Sequence, residues 1–320
     1  MTTYIIRRLL MMVPVMLLVT MVLFALREAT PGDPAVVAIG LETDLNRDEY
    51  QETLRRVRAL YDLDKPLPLQ YALWVGRAFT GDLGRSYRSN QPVREAIVER
   101  MAVTMELGMA SLILSWIIAI PAGVIAAKNR NKIQDVLANF FGLLGLSVPN
   151  IWLAFVLILL FSVKLGWFPP SGYVPFSKDP LDNIKSLMLP VITLGTSAAA
   201  GLMRLTRSAL LEVIGQDYMR TAQAKGLRAR VVLWRHGMRN AMIPIVTLIG
   251  LELGGLLGGA FIMEQIFSLP GMGKLAVDAI YARDYPIVQG VLLLATLMYL
   301  FANFAVDLVY GVLDPRIRYG

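Results

Sequence analysis

Few residues in this 320-residue sequence are of a type and spacing that support catalysis. The sequence has no cysteine and one histidine, His236, which excludes thiolate ligands and any metal centre that needs several imidazoles. Residues 268–275 contain a Gly-Lys pair, but they lack the first glycine of a phosphate-binding loop, and Leu275 replaces the Ser or Thr that would meet Mg²⁺. Neither an activated nucleophile nor a pair of carboxylates stands out. The sequence therefore predicts that the chain is not an enzyme by itself and holds no cofactor or metal.

Carboxylates inside apolar segments are the remaining candidates for chemistry. Glu252 lies near the middle of the apolar run 241–261. An ionisable side chain at membrane depth is costly and usually faces a cavity or a partner. Glu252 is therefore a candidate substrate-path residue that would meet an ammonium group, and Asn303 in the last apolar run is a second candidate. The alternative for Glu252 is a protonated or paired glutamate at a subunit interface.

The most polar segment in the second half of the chain is residues 215–244, and a long apolar run lies on each side of it. Asp217 is suited to N-cap a short helix through residues 218–225, and Gly226 tolerates the positive φ that ends many helices. A second basic helical turn is predicted at 228–239, before Pro244 opens the next apolar run. We call residues 215–244 the elbow, and we predict that it is a two-helix element tied rigidly to both neighbouring spans. It has one acid, Asp217, and six cations: Arg220, Lys225, Arg228, Arg230, Arg235 and Arg239.

The elements that carry these residues are apolar enough to cross a membrane. Hydrophobic residues make up 56% of the sequence, and the mean hydropathy is +0.55. Apolar runs of about 18 or more residues, each sufficient for a spanning helix, recur along the chain. The net charge of +7 is accounted for by loops, so nucleic acid is not an expected partner. The prediction is an all-α membrane protein with six transmembrane helices, at 9–26, 103–127, 136–163, 187–205, 241–261 and 287–312.

Loop charges and glycine spacing refine this topology. Lys and Arg in the short loops are concentrated on the side of the elbow, which predicts that the elbow and both termini are cytoplasmic. In the fifth span, glycines four residues apart favour close helix packing, at Gly250, Gly254 and Gly258. Residues 27–102 are hydrophilic and begin with a turn cluster at 31–34, and an amphipathic helix is predicted at 48–60. They are expected to form a folded external loop between spans 1 and 2.

Two stretches of the elbow resemble a known family. Residues 220–226 (RTAQAKG) and 236–244 (HGMRNAMIP) are similar to the EAA loop of ABC-importer permeases, and more narrowly of the dipeptide, oligopeptide and nickel branch. The external patterns LDKP at 63–66 and GDLG at 81–84, and RDYP at 283–286, are also similar to those of peptide permeases. Arg220 stands where the general family has glutamate, and the interval from Gly226 to Pro244 is longer. The role of the family's glutamate is therefore not transferred.

The resemblance implies a type I ABC-importer permease fold with a cytoplasmic coupling helix. It divides the chain into an N-terminus with span 1 (1–26), an external loop element (27–102) and a permease core (103–320) with its coupling loop at 212–240. Residues implied to couple to the ATPase are Asp217, Tyr218, Arg220, Thr221, Ala222, Ala224, Lys225, Gly226, His236, Arg239, Asn240 and Pro244. The implied partners are a second homologous permease subunit, two ATPase subunits that bind ATP and Mg²⁺, and an extracytoplasmic binding protein, in a bacterial inner membrane.

The expected cargo is a dipeptide or short oligopeptide. Glutathione and nickel chelates are the alternatives within the same machinery, because the binding protein, a separate chain, usually selects the substrate. An ion-coupled secondary transporter, with Glu252 as the ion site, is the alternative from another class. An intramembrane enzyme is a third class, and the sequence offers no catalytic constellation for it.

Overall fold

A computed structural model describes residues 2–29, 32–39 and 46–313 of the chain. These residues are helical apart from turns and loops, and no strand occurs among them. In chain order the α-helices are α1 (Thr2–Ala29), α2 (Pro34–Ile39), α3 (Arg47–Leu60), α4 (Leu67–Phe79), α5 (Val93–Lys128), α6 (Ile133–Ser147), α7 (Asn150–Leu157), α8 (Pro180–Ile214), α9 (Asp217–Ala224), α10 (Ala229–Val231), α11 (Arg239–Ile266), α12 (Met272–Tyr281) and α13 (Tyr285–Leu313). Two π-helical segments, Ile158–Lys164 and Val232–Met238, continue α7 and α10.

Four long helical segments are apolar enough to cross a membrane: Ile5–Ala29, Val93–Lys128, Pro180–Ile214 and Tyr285–Leu308. Two further pairs of segments meet the same criterion together but are bent, by 100° for Ile133–Ser147 with Asn150–Lys164 and by 49° for Ala229–Gly255 with Ala260–Ile266. The described residues therefore contain four spans, or six if each bent pair is one span. The all-helical membrane fold is confirmed.

The predicted third span, 136–163, is not one helix. Val148 has an extended backbone (φ −81°, ψ 120°), and Pro149, also extended, is the N-cap of α7. Proline disfavours the helical conformation of the residue before it and cannot donate a backbone hydrogen bond, so the chain turns at this point. The span therefore breaks sharply at Pro149, and the π-helical segment Ile158–Lys164 is a second irregularity within it.

Contacts divide the chain into two compact units. The first unit comprises residues 2–6, 105–269 and 299–313, and the second comprises 7–29, 32–39, 46–104 and 270–298. This division differs from the three parts predicted from the sequence. Most of span 1 and the segment 270–298 join the external element, because long-range contacts that the sequence order does not reveal hold them together.

The second unit is organised around a buried carboxylate. Asp284 accepts hydrogen bonds from the Ser86 hydroxyl and from the Tyr87 amide (3.1 Å). Tyr87 also packs edge-on against Tyr61 and Tyr285. The RDYP pattern at 283–286 therefore has a structural role within this unit. The amphipathic helix predicted at 48–60 is confirmed as α3, and Asn46 and Glu49 close its N-terminus as a capping box.

The first unit packs α8 against α6 and α11, and glycines permit close contacts within it. A side chain at Gly250 would overlap Val306 of α13, and one at Gly254 would lie 2.9 Å from the Tyr299 ring. At Gly258, however, no described atom lies within 4 Å of the position a Cβ would take. Among the described residues, close packing is therefore seen at Gly250 and Gly254 and not at Gly258.

Candidate functional site

The elbow connects α8 to α11 in the first unit. Its first helix, α9, spans Asp217–Ala224, but the N-cap residue is Gln216 and not Asp217. Gln216 has the extended backbone of a cap (φ −77°, ψ 150°), so Asp217 is already the first helical residue. There its carboxylate faces the positive end of the helix dipole and lies 3.5 Å from Arg220. The predicted helix is confirmed, and the predicted cap was wrong by one position.

Gly226 ends α9, as the sequence predicted. Its φ is +74°, in the left-handed region, and its amide donates to the Gln223 carbonyl at 2.9 Å. Glycine adopts this conformation without the steric cost that a Cβ imposes. The chain therefore leaves α9 in a fixed direction.

The predicted second helix, 228–239, does not end before the next span. α10, the π-helical segment Val232–Met238 and α11 follow one another without a break, so Pro244 lies inside α11 instead of opening it. Membrane helices tolerate proline where local π geometry and neighbouring helices satisfy the freed backbone groups. The basic half of the elbow is thus a direct extension of the following membrane helix.

One face of α9 is buried against both flanking segments. Met219 is 1% exposed and packs with Ala222 and Val232. Val213 and Ile214 at the end of α8 complete this cluster. Ala222 was predicted to be a coupling residue, and its burial means that it holds α9 in place and does not touch a partner directly.

A hydrogen bond joins α9 to α11 on the other side of the elbow. The side-chain amide of Asn240 donates to the Tyr218 hydroxyl at 2.8 Å. Both residues were predicted to be coupling residues, and the structure brings them together although they are 22 positions apart. His236 is half-buried, and its carbonyl accepts a second, longer bond (3.4 Å) from Asn240. Apolar packing and this polar link both fix α9 to its neighbours.

The remaining surface of the elbow is basic and partly apolar. Tyr218 is 41% exposed and Trp234 is 52% exposed. Aromatic and arginine side chains are the residues that most often dominate protein–protein interfaces. We call this surface the elbow face; it comprises the exposed residues Tyr218, Arg220, Thr221, Ala224, Lys225, Leu227, Arg228, Arg230, Val231, Trp234, Arg235 and Arg239. The elbow also exposes the polar residues Gln216, Asp217, Gln223 and Asn240. Three apolar residues of this face were not predicted, although apolar residues within a basic segment were a usable signal: Leu227, Val231 and Trp234.

An ion pair near the elbow was not predicted from the sequence. Arg207 of α8 donates to both carboxylate oxygens of Asp135 in α6, at 2.5 and 2.8 Å. Asp135 is 3% exposed. Its carboxylate also accepts hydrogen bonds from the side-chain amide of Asn139 and from the backbone N–H of Asn131. Asp135 is the only acid between Glu106 and Asp179, which was the signal available in the sequence. The pair fixes α6 to α8 two turns before the elbow.

Glu252 borders a cavity of about 290 Å³ in the first unit. Its Oε2 atom is buried and has no hydrogen-bond partner among the described residues. The other wall residues are small, apolar or uncharged: Gly108, Ser111, Leu112, Asn150, Leu194, Ser197, Ala198 and Gly255. A carboxylate facing hydroxyl and amide groups in such a space suits a cationic or hydrogen-bond-donating ligand.

Asn303 does not share this cavity. Its side-chain amide donates to the Tyr299 carbonyl at 2.9 Å and lies next to Gly254. Residues two apart on a helix point to nearly opposite sides, so Glu252 and the Gly254 contact with Asn303 lie on different faces of α11. The prediction that both residues line one path within this chain is therefore wrong.

The loop between the π-helical segment Ile158–Lys164 and α8 is tied down at two points. The Tyr173 hydroxyl donates to the Glu106 carboxylate at 2.7 Å, and the Gly172 amide donates to the Phe267 carbonyl at 2.9 Å. Burial and the adjacent Glu106 carboxylate raise the pKa of Tyr173 to about 12. The hydroxyl therefore stays protonated and remains a donor at every physiological pH.

Comparison with known proteins adds an independent line of evidence. A family model described as "Binding-protein-dependent transport system inner membrane component" matches residues 119–319. A model for the N-terminal part of such membrane components matches residues 1–108. The inward-facing MetNI methionine ABC transporter has a similar fold, with a TM-score of 0.53 and 20% identity, over 68% of this chain and 95% of that chain.

Full-length relatives carry transport names. The chain is 42% identical over 319 residues to a putative peptide transport system permease protein of Brucella abortus, and the alignment covers 100% of both. It is 38% identical to the oligopeptide transport system permease protein AppB of Bacillus subtilis and 39% identical to the glutathione transport system permease protein GsiC of Escherichia coli K12, again over 100% of each chain. The chain belongs to the inner-membrane components of binding-protein-dependent transport systems, and it is a permease subunit of an ABC importer, not an enzyme by itself.

Proposed function

We propose that this subunit moves dipeptides or short oligopeptides delivered by an extracytoplasmic binding protein. The observation that carries the proposal is the full-length identity of about 40% to permeases named for peptide transport. Glutathione is the second candidate, since GsiC is 39% identical over its whole length. Family membership leaves no need for the ion-coupled alternative, because transport in this family depends on a binding protein.

The proposed machine has several other chains. A second homologous permease subunit pairs with this one, and two ATPase subunits, which hold ATP and Mg²⁺, bind at the elbows. In this arrangement the elbow and both termini are cytoplasmic, and this chain carries no cofactor. The elbow face supports an ATPase contact because it combines exposed aromatic residues with six cations, and so complements an acidic cleft.

The packing of the elbow provides a physical route for coupling. Met219 buries α9 against the end of α8, and the Tyr218–Asn240 hydrogen bond joins α9 to α11. A push on α9 therefore moves both helices as rigid bodies, because tightly packed interfaces switch between discrete arrangements. ATP binding would draw the elbows of the two permease subunits together and open the path outward, and hydrolysis would reverse the change.

Reconstitution with substrates tests the cargo. The complete transporter in vesicles, with its binding protein, is assayed for ATP-dependent uptake of dipeptides, tripeptides, longer peptides, glutathione and a nickel chelate. We expect peptides to be taken up and to stimulate ATP hydrolysis, with glutathione as the nearest competitor. Uptake of the nickel chelate alone would contradict the peptide assignment.

Glu252→Gln is expected to lower uptake of peptides that have a free amino terminus by about tenfold, because a charge-assisted hydrogen bond contributes about 1.5–3 kcal/mol. The basis is that Glu252 lines the cavity of the first unit and that its buried Oε2 atom has no hydrogen-bond partner among the described residues. The measurement is initial uptake rate at subsaturating peptide, with ATPase stimulation as a check on assembly. Asn303→Ala is the matched control, since Asn303 lies on another face. Equal losses in the two variants would rule out a specific role of Glu252.

A further inference from the structure

The first unit holds a second cavity, of about 410 Å³, on the same face of α8 as the cavity that Glu252 lines. We call the two the Glu252 cavity and the Arg204 cavity. Residues three or four positions apart lie one above another on one side of a helix. One side of α8 contributes residues at this spacing to both walls: Leu194, Ser197 and Ala198 to the first, and Gly201, Arg204, Leu205 and Ser208 to the second.

The two cavities adjoin within one turn of α8. Ala198 lines the Glu252 cavity and Gly201 lines the Arg204 cavity, and at 1.5 Å per residue they are about 4.5 Å apart along the helix axis. On the other wall, Leu146 and Asn150 stand on either side of the break at Pro149. No described atom lies within 4 Å of the position that a Cβ of Gly201 would take. Small side chains therefore leave space between the two cavities.

Arg204 gives the second cavity an uncompensated positive charge. Among the described residues, its guanidinium makes no hydrogen bond or ion pair, and no acid lines this cavity. Arg207, the other cation in the wall, is held by Asp135. The stem of Arg204 lies over α6, since a Cβ at Gly142 would be 3.5 Å from its Cγ. A permanently charged guanidinium in this setting is suited to bind a carboxylate through two parallel hydrogen bonds.

Charges of opposite sign thus stand at the two ends of this face of α8. Glu252 lines the first cavity, and its Oε2 atom has no hydrogen-bond partner among the described residues. Ala198 and Arg204 are six positions apart, which is about 9 Å along the helix. An extended peptide spans about 3.3–3.6 Å per residue, so three residues cover that distance. The arrangement complements a zwitterion of this length.

We propose that the two cavities form one site for a tripeptide or tetrapeptide, in which Arg204 binds the C-terminal carboxylate and Glu252 the terminal ammonium group. This inference rests on the proposed function and adds the residue that recognises the second end of the cargo. Both termini are common to all unmodified peptides. The site therefore selects for length and for free ends, and it accepts many side-chain sequences.

Peptide binding to the purified transporter complex, without binding protein and without ATP, tests this proposal. The probes are trialanine and trialanine amide. We expect C-terminal amidation and Arg204→Gln each to weaken binding about tenfold, because either change removes a charge-assisted hydrogen bond. Amidation should then have no further effect in Arg204→Gln, because the carboxylate and the guanidinium form a single interaction. Arg204→Lys, which keeps the charge, should weaken binding less.

Arg130→Gln is the matched control. Arg130 is an exposed cation of the first unit that lines neither cavity, so its replacement should leave the affinity for both probes unchanged. Weakening by Arg130→Gln equal to that by Arg204→Gln would show a general effect of surface charge and would overturn the proposal.

Gly201→Phe provides a second, independent readout. The open space at the Cβ position and the helical backbone both favour folding of this variant, and the ring would lie between the two cavities. Trialanine binding should be lost in Gly201→Phe and retained in Gly201→Ala. Unchanged binding in Gly201→Phe would contradict a site that extends across both cavities.

Three further results would overturn the proposal. They are the absence of trialanine binding to the unmodified complex, an equal loss on amidation with and without Arg204→Gln, and weakened subunit assembly in Arg204→Gln with unchanged peptide affinity. The last would assign Arg204 to an ion pair with another subunit. The proposed function fails separately, if vesicles that contain the complete transporter and its binding protein take up no peptide.

Discussion

Gly226→Val is expected to abolish the stimulation of ATP hydrolysis by substrate-loaded binding protein, while the transporter still assembles in the membrane. Gly226 has φ +74°, and a β-branched residue there costs about 1–3 kcal/mol, which corresponds to about 5–150-fold in a conformational equilibrium. No described atom lies within 4 Å of the Cβ position, so the effect acts through the backbone and not through a clash. The measurement is ATPase activity in reconstituted vesicles, with and without loaded binding protein.

Gly226→Asn is the control for this prediction. Asparagine tolerates the left-handed region better than other non-glycine residues, so stimulation should be largely retained. Unchanged stimulation in Gly226→Val would show that the direction in which the chain leaves α9 does not matter for coupling, and would refute the assignment of the elbow.

Asp135→Asn should destabilise the first unit by about 3 kcal/mol, because removing one partner of a buried ion pair leaves the other charge uncompensated. Asp135 is 3% exposed and accepts two hydrogen bonds from Arg207. The side chain of Arg207 is 23% exposed, which places the expected cost at the lower end of the range for buried pairs. The measurement is the free energy of unfolding of the detergent-solubilised subunit in a denaturant titration.

The double variant Asp135→Asn with Arg207→Gln separates pairing from packing. When both charges are removed, no uncompensated charge remains, so much of the lost stability should return. If the double variant is as unstable as the sum of the single variants, the two residues act independently, and the pair does not fix α6 to α8.

The elbow shows which helix bounds local sequence patterns predict correctly. The helix at α9 and its end at Gly226 were predicted correctly, since both depend on residues within one or two turns. The prediction that the helix ends before the next span was wrong, because α10 and the π-helical segment run directly into α11. Basic composition indicated a cytoplasmic segment but carried no information on where one helix ended and the next began.

The surroundings of Glu252 could not be predicted from local sequence patterns either. Glu252 stood out from sequence because a carboxylate in an apolar run is rare, but its cavity is built from residues of four separate segments of the chain. Asn303 was a second candidate by composition, and only the face of α11 that it contacts distinguishes it from Glu252. The Asp135–Arg207 pair joins residues 72 positions apart, so no periodicity of one helix indicates it.

The sequence by itself determined that the protein is a helical membrane protein, which segments are apolar enough to span, and where the basic segment between the fourth and fifth of them lies. These properties follow from local composition and from motifs carried by neighbouring residues. Only the tertiary structure decided that the third span breaks by 100° at Pro149, that span 1 and residues 270–298 join the external element, and that Tyr218 meets Asn240. Each of these depends on contacts between residues far apart in the chain. Such contacts are set by packing and by the geometry of the side chains that meet, which composition does not encode.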